Sequence, residues 1–130
     1  MQLFLAATAG GAIGAGARYL VNAAFLAAFG PGLPWATLAV NVLGSFLMGV
    51  VLAVAVPLLG DSPLWRTFLA TGILGGFTTF SAFSLDAVQL WERHQPGLAI
   101  AYVAASVVLS IAALVAGLAL AKAVLAKVVA

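Results

Sequence analysis

The sequence predicts an all-α integral membrane protein with about four transmembrane helices per chain. Three observations lead there. Hydrophobic residues fill 65% of the 130 positions and charged residues only 6%. The mean hydropathy is +1.25, whereas a soluble domain this small needs far more polar residues to cover its surface. Turn-forming residues gather at three places, dividing the chain into four apolar stretches, each long enough to cross a hydrocarbon core of roughly 30 Å. Four spans with short turns use nearly the whole length, so residues 1–130 read as one transmembrane domain.

The first span runs from about Leu3 to Phe29 and stops where Gly30, Pro31, Gly32 and Pro34 withdraw helix propensity and backbone donors. Its start resembles a secretory leader, but it lacks a basic n-region and its apolar stretch is too long. Gly10 and Gly14, four apart, favour close helix packing in lipid. The second span begins at Trp35, an interfacial anchor, and ends near Leu58, just past Pro57. Gly60, Asp61, Ser62 and Pro63 form the next turn, with Ser62 placed to cap a helix whose first residue is Pro63. The third span, about 64–91, has Trp65 and Trp91 at its two interfaces. Glu92, Arg93, His94 and Gln95 followed by Pro96 and Gly97 make the last turn, and the fourth span covers about 97–122. Lys127 is expected at or beyond the membrane surface.

Charge excludes several functions. Five basic and three acidic residues, net +2, are too few and too scattered for a nucleic-acid surface. The absence of cysteine excludes disulfides and thiolate metal sites. Arg66, Lys122 and Lys127 share one side of the membrane and Arg93 lies on the other, so the orientation bias is weak. Such a bias suits a chain inserted both ways, and it is also common in ordinary small membrane proteins.

A polar group in hydrocarbon is costly unless it has a partner or lines a wet cavity, so the few polar residues within the spans are the informative ones. Thr37, Asn41 and Ser45 recur every four residues in span two, and Tyr102, Ser106 and Ser110 repeat that spacing in span four. These are two hydroxyl- and amide-bearing tracks able to face one path, or helix-packing residues and interhelical glue. The densest group is Gly75-Gly76-Phe77-Thr78-Thr79-Phe80-Ser81-Ala82-Phe83-Ser84. Paired glycines followed by β-branched threonines predict a third helix broken in mid-membrane, where freed carbonyls are able to take a cation such as Na⁺. Phe80 and Phe83, three apart, share a face of the helix that resumes after the break.

Ionisable groups are nearly missing from this interior: Arg18 lies deep in span one and Asp86 toward the end of span three, while His94 is in a turn. Proton coupling usually needs a carboxylate or His near the midplane, so passive conduction is favoured over proton exchange. Hydroxyls, amides and the positive edges of phenyl rings favour an anion.

With these motifs in view, the chain resembles the Fluc (CrcB) fluoride ion channels. The 75–84 segment looks like the family's span-three signature. Supporting it are Gly10-Gly11-Ala12-Ile13-Gly14-Ala15-Gly16-Ala17-Arg18-Tyr19 and Asn41-Val42-Leu43-Gly44-Ser45-Phe46-Leu47-Met48-Gly49. The resemblance implies an antiparallel, dual-topology homodimer with two pores that exports fluoride passively from a prokaryotic cell, protecting it against fluoride toxicity across the plasma (inner) membrane. It implies a phenylalanine box at Phe80 and Phe83 and a pore amide at Asn41 beside Thr37. Ser81 is counted with the pore, and Tyr102, Ser106 and Ser110 match a polar track. Backbone carbonyls of Gly75 and Thr78 match a break holding one central structural Na⁺, and Arg18 matches an embedded arginine of electrostatic or structural role.

Two other readings compete. A small proton-coupled multidrug or metabolite transporter also has four helices, but its coupling carboxylate would have to be Asp86, near a span end. A noncatalytic scaffold would use the polar stripes for packing. An enzyme is excluded for want of an assembled nucleophile, base and orienting group.

Overall fold

A computed structural model of the chain describes residues 1–60 and 62–129, and side chains as far as Lys127. Asp61, assigned above to the second turn, lies outside the described residues. Four helical segments are long and apolar enough to cross a membrane: Gln2–Phe29, Trp35–Leu58, Pro63–Glu92 and a last one from Pro96 through Lys127. We label Gln2–Phe29 α1 and Trp35–Leu58 α2. The third segment comprises α3 (residues 63–77) and α4 (Phe80–Glu92), and α5 is Pro96–Val129. The helix of span four thus continues well past Lys122, where the sequence suggests its end. Alanine and valine carry helix propensity beyond the span, and nothing before Val129 interrupts it.

Helix ends follow local chemistry. Gly30 takes a left-handed φ of 71° and its N–H donates to the Leu26 carbonyl, closing α1. At the far end of α4, His94 occupies the left-handed region without being glycine, at φ 59°. The Gln95 N–H donates to the Leu90 carbonyl at 3.2 Å and the His94 N–H to that of Trp91 at 3.0 Å, so the reversal into α5 is held by backbone bonds. Ser62 does precede Pro63 at the start of α3, but its side chain makes no capping bond; its carbonyl accepts the Arg66 N–H instead. Within α2 the helix widens to i→i+5 bonding over Val51–Ala55, and Val56 N–H donates to Val51. Pro57 explains this, since its ring crowds the carbonyl four residues back.

Packing rests on glycine. The main partner of α1 is α3, and that of α2 is α5, with α4 also lying on α5. A methyl group on Gly10 would stand 2.9 Å from the Gly72 α-carbon, and one on Gly76 would stand 2.6 Å from the Gly11 carbonyl oxygen. Gly49 and Gly117 bring α2 and α5 together in the same way. Lipid tails are as apolar as leucine, so close backbone approach is what holds such helices together. Away from these seams the large side chains face outward: Leu3, Phe4, Ile13, Leu20, Ile100, Val108 and Ile111 are all exposed. In water that surface would aggregate, whereas in a bilayer it meets its own kind.

Two alanine substitutions separate these contacts. Gly10→Ala should lower the thermal unfolding temperature in detergent, equivalent to a loss of about 1–3 kcal/mol from overpacking. Gly97→Ala, where a Cβ meets nothing within 4 Å, should be neutral or stabilising by up to about 1 kcal/mol.

Candidate functional site

Helical geometry lapses between α3 and α4. Thr78 has ψ 159° and Thr79 has φ −152° and ψ 123°, both extended, and the helix resumes at Phe80. The glycines are not where this happens: Gly75 keeps helical angles of −65° and −35°. Its neighbour Gly76 is spent on the contact with Gly11.

Both threonines of the interruption find partners. The Asn41 carboxamide of α2 pairs with both sides of Thr79: Nδ2 donates to the Thr79 carbonyl at 3.0 Å, and the Thr79 N–H donates to Oδ1 at 2.8 Å. The side chain thus copies what a neighbouring strand would offer. Thr79 Oγ1 then accepts the Ala82 N–H at 3.2 Å and caps α4. On the other side, the Thr78 hydroxyl donates to the Leu74 carbonyl at 2.9 Å, closing the end of α3. In a continuous helix the Thr79 N–H would serve the Gly75 carbonyl. Here Asn41 has taken that donor.

Beside the interruption lies a groove of about 340 Å³ between α2, α4 and α5. Asn41, Ser45, Thr78, Thr79, Phe80, Phe83, Ser106 and Ser110 line it, together with apolar Met48, Val107, Ile111 and Leu114. Ser106 is 4% exposed. Neither its Oγ nor that of Ser110 has a hydrogen-bond partner. An unpaired buried hydroxyl costs on the order of 1–3 kcal/mol. Two of them facing one groove mark it as a place for water or an ion.

Not every candidate from the sequence joins this groove. Phe80 and Phe83 pack with ring centroids 5.4 Å apart, yet Phe83 is 8% exposed and Phe80 is 78% exposed in the single chain. Tyr102 sits outside the groove, with its ring 5.6 Å from that of Phe83 and its hydroxyl donating to Asp86 Oδ2 at 3.2 Å. Thr37 is buried and also does not line the groove. The four-residue repeat carries both residues one turn past the point where Phe83 fills the space. Ser81 is exposed, with Oγ 3.3 Å from Thr79 Oγ1. Arg18 is half-buried on α1, away from the groove. The sequence reading passed over Thr79 as a site residue, although a threonine directly before a helix start is a capping signal. It also left Asp86 without its tyrosine partner.

A family model described as CrcB-like protein, Camphor Resistance (CrcB), matches residues 5–118. The chain belongs to the CrcB family. Among its CrcB relatives is a protein of Cereibacter sphaeroides named fluoride-specific ion channel FluC, 59% identical over 110 residues, which are 85% of this chain and 86% of the relative. A protein of the same name from Agrobacterium fabrum is 54% identical over 92% of this chain and 95% of its own length. Another, from Rhizobium meliloti, is 52% identical over 95% of this chain and 98% of its own.

Removal of the Asn41 clamp tests the local geometry. Asn41→Ala strips partners from the Thr79 N–H and carbonyl together. Hydrogen exchange at Thr79 should then quicken, with stability falling by roughly 2–4 kcal/mol. Asn41→Asp, which keeps only the acceptor, should restore part of both.

Proposed function

We propose that this CrcB chain is a passive, fluoride-selective channel that works as an antiparallel homodimer in the plasma (inner) membrane of its cell and relieves fluoride toxicity. The observation carrying the proposal is the pair of buried, unpartnered serine hydroxyls, Ser106 and Ser110, facing the groove that Asn41 and Phe83 also line. The names of the relatives support fluoride as the ion and a channel, not an enzyme, as the class.

A small, strongly hydrated anion enters a narrow path only if fixed donors replace its water, and leaves only if no one site holds it too firmly. Ser106 and Ser110 offer O–H donors, and the second N–H of the Asn41 amide is spare after its bond to Thr79. A phenyl edge of Phe83 or Phe80 turned into the groove adds the positive rim of the ring quadrupole. Neutral groups in series pass the ion along where a lone ammonium would trap it. Thr37 and Tyr102 continue the polar path beyond Phe83, Ser81 lies beside its entrance, and Arg18 favours anions by its charge.

The exposure of Phe80 and the openness of the groove support a second copy as the missing wall. The dimer would bring two Gly75 and two Thr78 carbonyls together at the interruption. The loss of Gly75's helical donor to Asn41 fits the donor chemistry of a Na⁺ site. Backbone oxygens of Gly75 and Thr78 would be its ligands. When bound, Na⁺ would accept the lone pairs that those carbonyls would otherwise leave unpaired.

Purified protein in sealed vesicles loaded with fluoride should release it passively, and chloride far more slowly, as read by ion-selective electrodes. Absence of fluoride release from vesicles that contain protein would sink the proposal. Ser106→Ala should slow release roughly tenfold, the equivalent of one lost hydrogen bond of about 1.4 kcal/mol. Phe83→Ile and Phe80→Ile should cut the flux while leaving the dimer assembled, as judged by size-exclusion chromatography.

A further inference from the structure

A second cavity, of about 200 Å³, lies at the end of the molecule that carries the first and third turns. Its wall combines the turn at 30–34 with Asn22 of α1, with Asp86 and Gln89 of α4 and with Arg93 directly after α4. Spacings of three and four put Asp86, Gln89 and Arg93 on one face, which continues back to Phe83. From Phe83 in the groove to Arg93 in this cavity is about 15 Å along the helix axis. Between them the Asp86 carboxylate accepts the Tyr102 hydroxyl, and the Tyr102 ring lies against Phe83. Groove and cavity are therefore neighbours along α4, with the buried cluster of Phe83, Leu90, Ala99 and Tyr102 packed between them.

We infer that this cavity is an anteroom in which Arg93 gathers fluoride from bulk water before it enters the path past Tyr102. The inference rests on the channel reading above. Arg93 is exposed and permanently charged, and Phe25, Leu26 and Phe29 form a low-dielectric wall opposite α4. A charge set in an apolar recess focuses its field and raises the local concentration of the opposite ion. The Asn22 and Gln89 carboxamides supply neutral N–H donors to a partly hydrated anion. Asp86, half-buried and turned toward Tyr102, offsets the arginine farther in. The ion is drawn in by Arg93 without being held there, as conduction requires. Arg93 acts on access through its field, so its contribution must fade as salt shortens the Debye length.

Fluoride efflux from proteoliposomes at two ionic strengths, set by an impermeant salt, tests this. At about 0.01 M the screening length is roughly 30 Å and at about 1 M roughly 3 Å. Arg93→Gln should conduct roughly threefold or more slowly than wild type at the low salt concentration and equal it at the high one. Arg93→Lys, which keeps the charge, should match wild type at both. Lys127→Gln removes the same net charge from outside the cavity wall and should leave the flux unchanged. An equal deficit at both salt concentrations, no deficit at the low one, failure of the lysine variant to rescue, or the same deficit in Lys127→Gln overturns the anteroom. Wild-type vesicles without any fluoride flux overturn the channel reading and this inference with it. A conducting wild type beside an unaltered Arg93→Gln overturns the anteroom alone.

Discussion

A backbone that leaves helical geometry inside an apolar span uncovers amide groups with no water to receive them, and the Asn41 carboxamide is what this chain uses to cover them. One side chain supplies both an acceptor for the Thr79 N–H and a donor for its carbonyl. The rest of the groove follows from that pairing. With Thr79 held extended, its hydroxyl is free to cap α4, and α4 starts at Phe80 with Phe83 one turn deeper. Asn41 thus has two duties, as a structural partner of the backbone and as a polar wall of the groove.

The glycine seams complement this clamp. Contact of Gly10 and Gly72, and of Gly11 and Gly76, locks α1 against α3 before the interruption. The Gly49 and Gly117 seam ties α2 to α5. α4 lies outside these seams and is held by Phe83, Leu90, Ala99 and Tyr102 in one buried cluster. Rigid neighbours on both sides give the serine hydroxyls fixed positions, and fixed donors are what a narrow ion path needs in place of water.

Much of this was legible from residue order alone. Apolar length and Gly-Pro punctuation mark the four spans, and four residues of the two four-residue repeats, Asn41, Ser45, Ser106 and Ser110, lie along one groove. What escaped depends on tertiary competition. Gly75 and Gly76 weaken a helix intrinsically, yet Gly76 is held in the helix by its packing against Gly11 and Gly75 keeps helical angles beside it, so the interruption falls on Thr78 and Thr79 instead. Periodicity carries Thr37 and Tyr102 along the same faces as their neighbours, but it does not reveal that Phe83 fills the space between. Nor does spacing show that Tyr102 would find Asp86, because the two lie on different helices. Ser62 has the right identity for a cap and still makes none, since its backbone carbonyl alone serves the first turn.

The last helix has 34 residues, about 51 Å of rise, against a hydrocarbon slab of roughly 30 Å. Lys122 and Lys127 keep one end of this rod near the surface, but its long apolar part is only loosely fixed in height, because sliding along the membrane normal exchanges one alanine or valine for another. Its vertical register must come from protein neighbours, and the Gly49–Gly117 contact is the pin. The two orphan serines stand seven and eleven residues before that pin, so their depth is inherited from α2 and is insulated from changes in bilayer thickness.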